Sequence, residues 1–388
     1  MRILYCIPDL DYGGAERQLS YLAAEMARRG HEVHVASRGG GTNLERMKSA
    51  GVLWHRVGAS RNRGRVHFFE LTRLIRMFVI FFNLVALIRK LRPDVVQTIL
   101  APMDIMGGAA ALLTRTPWVL KECSSSLIYK TYRRYWLRFA FGRLSDVVVT
   151  NSAGGYDYWR PARSRAPLHM IPNGLPLDEI AEADAGRVSG FAFGPGEKLV
   201  LYAGRVDIGK NVEDLVAALA RIADEVPFAA VICGEGAHRG RVERMARELG
   251  IADRVRFTGY VDNLWDMMKR ADAFVSLSRC EGRPNIVLEA MACGCPLVVS
   301  DIPAHREILD ERTALFARLG DPGQTASALK ATLVCGDAAR GRAHAARVRA
   351  LEWPVETMAR RYEELYLDLL GEARAANNEE PLTGREAA

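Results

Sequence analysis

Short apolar runs alternate with stretches of helical apolar spacing in two long series along this chain. The clearest unit covers residues 278–301, SRCEGRPNIVLEAMACGCPLVVSD. A polar loop gives way there at Pro284, a residue suited to a first helical turn because its missing N–H would be unpartnered anyway. Ile286, Val287, Leu288, Ala290 and Met291 carry the helix on, and Gly294 stops it. Leu297–Ser300 is then an almost wholly apolar run, as in a strand buried in a parallel sheet.

The same reading predicts strands at 2–8, 32–37, 52–57, 94–99, 118–121, 146–150 and 169–172. A second series begins at 198–203 and continues through AAVICGEG, RVRFTGYV and AFVSLS. Helices at 15–29, after Asn211 and from Asp262 fall between strands, and an amphipathic helix at 353–370 closes the pattern. Strand–helix alternation twice over predicts two doubly wound α/β domains. The expected bounds are 1–177 and 190–350, with a linker over 178–196, a last helix (about 355–370) returning to the first domain, and a disordered polar tail at 372–388.

Two carboxylates mark the chemistry. Glu281 stands in the loop at a strand-to-helix mouth, and Glu289 lies eight positions on, inside the helix that leaves it. The unpaired N–H groups of that helix start form an anion site. Amides for phosphate beside carboxylates for hydroxyls point to a nucleotide sugar. In GRVDIGKN, Arg205 and Lys210 flank another helix start, with Asn211 placed to cap it and Asp214 in the capping-box position. Two cations at a helix N-terminus suit a diphosphate. Gly13 and Gly14 precede the first helix, where a tight turn would explain them on the residues alone.

The phrase EGRPNIVLEAMACGCPLVVS, taken with GGAER, IPNG and GRVDIGKN, resembles the signature of the family 4 retaining glycosyltransferases of GT-B fold. The resemblance spans nearly the whole chain. It implies two Rossmann-like domains facing across a cleft, a UDP- or GDP-sugar donor, and a glycan acceptor of polysaccharide or cell-envelope synthesis. It further implies that Glu281 meets the donor sugar, Glu289 the ribose, and Arg205 and Lys210 the leaving phosphates. Gly13 and Gly14 would face the diphosphate, and Arg283, Pro284, Asn285 and Ile286 would supply the helix start. Val261, with Gly259 and Tyr260 in VRFTGYV, would lie beside the base.

Two phrases depart from the family. DIPAHRE at 301–307 replaces a glycine-rich segment, and KECSSS at 121–126 lacks the histidine that meets the sugar in many members. Glu122 and Ser124 are the acceptor-side candidates there. Asp104 is a third, and a helix N-terminal carboxylate is its other reading. No metal or other cofactor is expected, because no Asp-x-Asp substitute stands out. Cys293 and Cys295 lack the second ligand pair a structural zinc takes. A GT-B sugar-nucleotide epimerase is the alternative, although it would need cleft histidines.

Charge changes the picture once. The net charge is +7, but residues 1–175 carry +14 and the remainder −7. The excess collects in two segments rich in large apolar residues. The first runs from Arg61 through Arg63, Arg65, Arg73 and Arg76 to Arg89, Lys90 and Arg92, around the apolar run 77–88. That run is short of the roughly 20 residues a spanning helix needs. The second, 129–143, interleaves Tyr132, Tyr135, Trp136 and Phe139 with Arg133, Arg134, Arg138 and Arg143. Both suit an anionic membrane surface and a lipid-linked acceptor; a soluble acceptor is the alternative. The basic residues form no nucleic-acid module, and the apolar start is too short for a signal peptide. A cytoplasmic enzyme resting on the membrane face is expected, with its cysteines reduced.

Overall fold

The computed structural model describes residues 1–58, 70–124, 134–162, 166–187, 194 and 196–379. Its strands form two sheets, parallel throughout. The first holds β1 (Arg2–Cys6), β2 (Glu32–Ser37), β3 (Leu53–Arg56), β4 (Val95–Ile99), β5 (Trp118–Glu122), β6 (Val147–Thr150) and β7 (Leu168–Met170), in the order β3-β2-β1-β4-β5-β6-β7. The second holds β8 (Lys198–Ala203), β9 (Phe228–Cys233), β10 (Val255–Gly259), β11 (Ala273–Ser276), β12 (Leu297–Ser300) and β13 (Leu315–Ala317), in the order β10-β9-β8-β11-β12-β13.

Both orders are doubly wound, and the strands themselves explain why. Alternate residues of β1 serve opposite cores: Ile3 and Tyr5 join one cluster, Leu4 and Cys6 the other. In β8, Val200 and Tyr202 face one layer while Leu199 and Leu201 face the other. A strand buried on both faces has no solvated side, so it reads as a continuous apolar run.

The chain divides into Met1–Gly174 with Val355–Ala388, and Leu175–Pro354. The division falls at Gly174, ahead of the expected linker. Leu175 and Ile180 are buried in a core of the second unit, and the Leu175 N–H donates to the Trp353 carbonyl at 2.8 Å. The final helix, Val355–Glu379, belongs to the first unit. There Tyr362 and Tyr366 are fully buried, and the Tyr366 hydroxyl donates to Gln97 Oε1 at 2.5 Å. This helix runs past the expected end at residue 370. Gly371 keeps a helical backbone rather than the left-handed turn of a stop, and the EARAA that follows is made of good helix formers. Residues 380–388, along with Arg61, Arg63, Arg65 and Arg133, lie outside the described residues.

Candidate active site

In a doubly wound sheet, ligands bind beyond the carboxyl ends of the strands where the order reverses. In the second unit that point lies between β8 and β11, which pair directly. The loops leaving these two strands are 204–211 and 277–284, and they carry Arg205, Lys210 and Glu281. The structure therefore brings the three residues expected to be catalytic to one switch point.

Side chains stitch the two loops together. Lys210 Nζ pairs with Glu281 Oε1, and Ser278 Oγ donates to the same oxygen at 2.7 Å. The Arg279 amide donates to the Gly209 carbonyl at 2.8 Å, and its guanidinium to Asn211 Oδ1 at 2.9 Å. Burial works to raise the Glu281 carboxyl, but Lys210 and the Ser278 hydroxyl outweigh it and hold the group below the usual carboxylate range. Arg205 stands apart. Its side chain is 69% exposed, and its guanidinium meets the edge of Asp207 at 3.4 Å. That leaves one cation committed to a carboxylate and one open to solvent.

A third loop backs the first, and it does so through two glycines. A Cβ on Gly234 would lie 2.0 Å from the Gly204 carbonyl oxygen, and one on Gly236 would lie 2.1 Å from that of Val206. These contacts are to backbone, which cannot swing aside. The bare glycines let Gly204 donate to Cys233 and Val206 to Glu235, which zips the arginine loop down.

Other expectations met a different geometry. Asn211 does not cap the helix Val212–Ile222: it adopts a left-handed backbone (φ 55°), and its Nδ2 donates to Asp214 Oδ2 at 2.6 Å. Arg283 precedes the helix Asn285–Ala292, yet its guanidinium is buried, stacked 4.7 Å from the centroid of the Trp353 ring, with Glu307 at 3.5 Å. Burial lowers that guanidinium to about 10, so it serves as packing under the loop rather than as an exposed charge. Pro284 sits at the helix's N-cap. Glu289 has no exposed surface, and its Oε2 accepts from the Trp265 indole N–H at 2.9 Å. Val261, Trp265 and Ile286 pack on one core cluster.

Nothing in the local residue pattern singles out Trp265 or His305. The departing phrase DIPAHRE folds as a short helix, Pro303–Arg306, and buries His305 completely. Its Nδ1 lies 2.8 Å from the Ser300 carbonyl, and Ser300 Oγ donates to the Ser278 carbonyl at 2.7 Å. Burial pushes this imidazole below its ordinary value, which keeps it neutral as a strut beneath the glutamate loop. Cys293 and Cys295 are buried in the core. Among the described residues no three His, Cys, Asp or Glu side chains are grouped to hold a metal ion.

In the first unit Gly13 is the N-cap of the helix Gly14–Arg28, just beyond β1. The three acceptor-side candidates also meet there, through a residue expected on the surface. Arg138 is 2% exposed: its Nε donates to Asp104 Oδ2 at 2.6 Å and its Nη1 to Glu122 Oε2. Glu122 also takes the Trp159 indole N–H at 3.0 Å and the Ser124 amide at 2.8 Å. Arg138 is thus an internal tie and no part of a basic surface.

Two family models match the chain: "Glycosyltransferase Family 4" over residues 12–179 and "Glycosyl transferases group 1" over 190–347. The chain belongs to the family 4 glycosyltransferases, and its two parallel sheets are those of the GT-B fold. It is 25% identical over 229 residues, 56% of this chain and 61% of the relative, to the N-acetylgalactosamine-N,N'-diacetylbacillosaminyl-diphospho-undecaprenol 4-alpha-N-acetylgalactosaminyltransferase of Campylobacter jejuni. A second transferase of that organism, GalNAc-alpha-(1->4)-GalNAc-alpha-(1->3)-diNAcBac-PP-undecaprenol alpha-1,4-N-acetyl-D-galactosaminyltransferase, is 26% identical over 75% of this chain and 77% of its own. Against several curated relatives the chain spans only about half to three fifths of their length. Among solved structures, Anabaena Alr3699/HepE in complex with UDP and glucose superposes with a TM-score of 0.80 at 19% identity, covering 94% of this chain and 99% of the other.

Proposed function

We propose that this protein is a retaining glycosyltransferase that moves a sugar from a nucleoside-diphosphate sugar to a lipid-linked glycan at a membrane surface. The observation that carries the reading is the Lys210–Glu281 pair across the switch point of the second sheet. It sets a phosphate-type cation against a carboxylate suited to sugar hydroxyls. Arg205, exposed beside them, would gather the leaving diphosphate, so that charge developing as the C–O bond breaks meets fixed cations. Two side-chain cations would do the work that a divalent metal does in other transferases. The UDP held by the superposed Anabaena protein favours a UDP-sugar, and the undecaprenol-linked acceptors in the relatives' names favour a lipid carrier.

The membrane part rests on the first unit. Ile75, Phe78, Val79 and Phe82 follow helical spacing along the helix Glu70–Leu91 and are 49–62% exposed. In the helix Arg134–Gly142, Trp136 is 71% exposed and Leu137 58%. The helix Ala101–Thr114 packs against both. Exposed apolar side chains on neighbouring helices suit the headgroup boundary. No helix among the described residues is long and apolar enough to cross a membrane.

The test is incubation with radiolabelled UDP-sugars and membrane lipid extract. Label passing into the organic phase supports transfer to a lipid carrier. Donor isomerised without transfer would favour the epimerase reading, and label confined to water-soluble glycan would replace the lipid acceptor with a soluble one.

A further inference from the structure

At the other end of the first sheet, where β4 and β5 begin, lies a surface pocket of about 610 Å³. Its walls include Arg89, Arg92 and Arg115, the hydroxyl residues Thr114 and Thr116, and Leu113. None of the three arginines has a carboxylate partner among the described residues.

The backbone under two of them is unusual. Arg92 and Arg115 follow the helices Glu70–Leu91 and Ala101–Thr114 with φ of 48° and 54°. Among the described residues four other helices end on a residue in the left-handed region, and each uses glycine: Gly30, Gly51, Gly250 and Gly294. Glycine is the unstrained choice there, because a Cβ crowds the carbonyl. At these two helix ends an arginine accepts the strain instead, and both side chains line one pocket. Complementing the helix dipole does not account for Arg92, since Arg89 and Lys90 already lie in the last turn of its helix.

The pocket's position indicates its occupant. Arg89 continues the exposed stripe of Ile75, Phe78, Val79, Phe82 and Ala86 at helical spacing, so the apolar face runs into the basic pocket. Leu113, on its rim, is 55% exposed. Apolar side chains that end at unpaired guanidinium groups and hydroxyls match a lipid with acyl chains on one side and a phosphate on the other.

We infer that this pocket binds the phosphate headgroup of an anionic phospholipid and so orients the first unit on the bilayer. The inference rests on the membrane reading above and assigns it a defined site.

The test is flotation with vesicles of phosphatidylcholine alone or with about a third phosphatidylglycerol, beside thermal melting. Three forms are compared: the unaltered chain, an Arg92→Gly/Arg115→Gly variant, and an Arg28→Gln/Arg160→Gln control that removes equal charge. Glycine suits the left-handed backbone, so the pocket variant is expected to melt at the same temperature or higher. It should bind anionic vesicles about tenfold more weakly or worse, while the control stays near the unaltered chain. Should it melt lower, asparagine, which also tolerates this conformation, takes the place of glycine. Pocket and control variants that bind alike would overturn the headgroup site and leave the membrane reading standing. An unaltered chain that binds neither vesicle would overturn both.

Discussion

The Nε of Arg138 lies 2.6 Å from Asp104 Oδ2, with both side chains almost wholly out of water. The same guanidinium reaches Glu122, which is fully buried. One cation therefore holds two carboxylates, Asp104 in the first turn of the helix after β4 and Glu122 at the end of β5, and burial pushes Asp104 above its ordinary range despite that cation. Removing the arginine would leave both carboxylates buried without that counter-charge. Arg138→Met should lower unfolding stability by about 3–5 kcal/mol, the range for breaking a buried pair from one side. Arg138→Lys should recover little, because an ammonium cannot reproduce the two-pronged geometry. Urea denaturation measures both; a neutral Arg138→Met would show that the tie carries no weight.

Arg205 and Lys210 should affect catalysis differently from folding. Arg205→Ala removes an exposed cation and should lower turnover about a hundredfold or more with stability unchanged. Lys210→Ala should lower turnover as much and also lift the Glu281 carboxyl, since Lys210 is the main influence holding it down. Full turnover in either folded variant would remove the leaving-group assignment.

The two glutamates separate by nucleotide binding. Glu281→Ala should leave UDP affinity nearly intact while transfer falls. Glu289→Ala should weaken UDP binding, and it should also destabilise the fold, because the Trp265 N–H would lose its acceptor. Isothermal titration with UDP and a melting curve on each variant decide this; equal loss of UDP binding in both would contradict the division.

Lys121 predicts a pH dependence. It is 2% exposed, its Nζ lies over the Tyr362 ring at 5.1 Å, and burial lowers it to about 8 from 10.5. Between those values the unfolded chain holds this proton and the folded chain has released it. Stability therefore rises with pH across that window, by up to roughly 3 kcal/mol from this group. Lys121→Met should remove that rise, as the difference between the two proteins' urea midpoints from pH 7 to 10 would show. A parallel pH profile in the variant would refute the assignment.

The alternation of apolar runs and helical spacing was enough to place both sheets except for the short edge strand β13, because a doubly buried strand must be apolar along its whole length. GRVDIGKN and SRCEGRP were equally legible: glycines, cations and carboxylates at strand-to-helix turns are local features. The helix end near residue 370 was misjudged at Gly371, since a glycine stops a helix only if its backbone turns left-handed, and one residue does not say whether it will. Arg138 was misjudged for a related reason. Among arginines and aromatic residues it reads as one more surface charge, and its partners Asp104 and Glu122 lie 34 and 16 positions away.

What the sequence determined by itself, then, was what neighbours in the chain set: every strand but β13, the helices between the strands it placed, the two phosphate-type turns and the uneven charge. The tertiary structure alone decided which charges face water. Arg205 remained exposed, Lys210 was paired with Glu281, and Arg283 went beneath the loop onto Trp353. It also decided that Gly234 and Gly236 admit another loop's backbone, and that His305 supports the glutamate loop from below. These are pairings between distant positions, made by the winding of the sheets. Burial reverses the meaning of a charged residue, because a guanidinium that costs nothing in water must find a partner or a ring once it is enclosed.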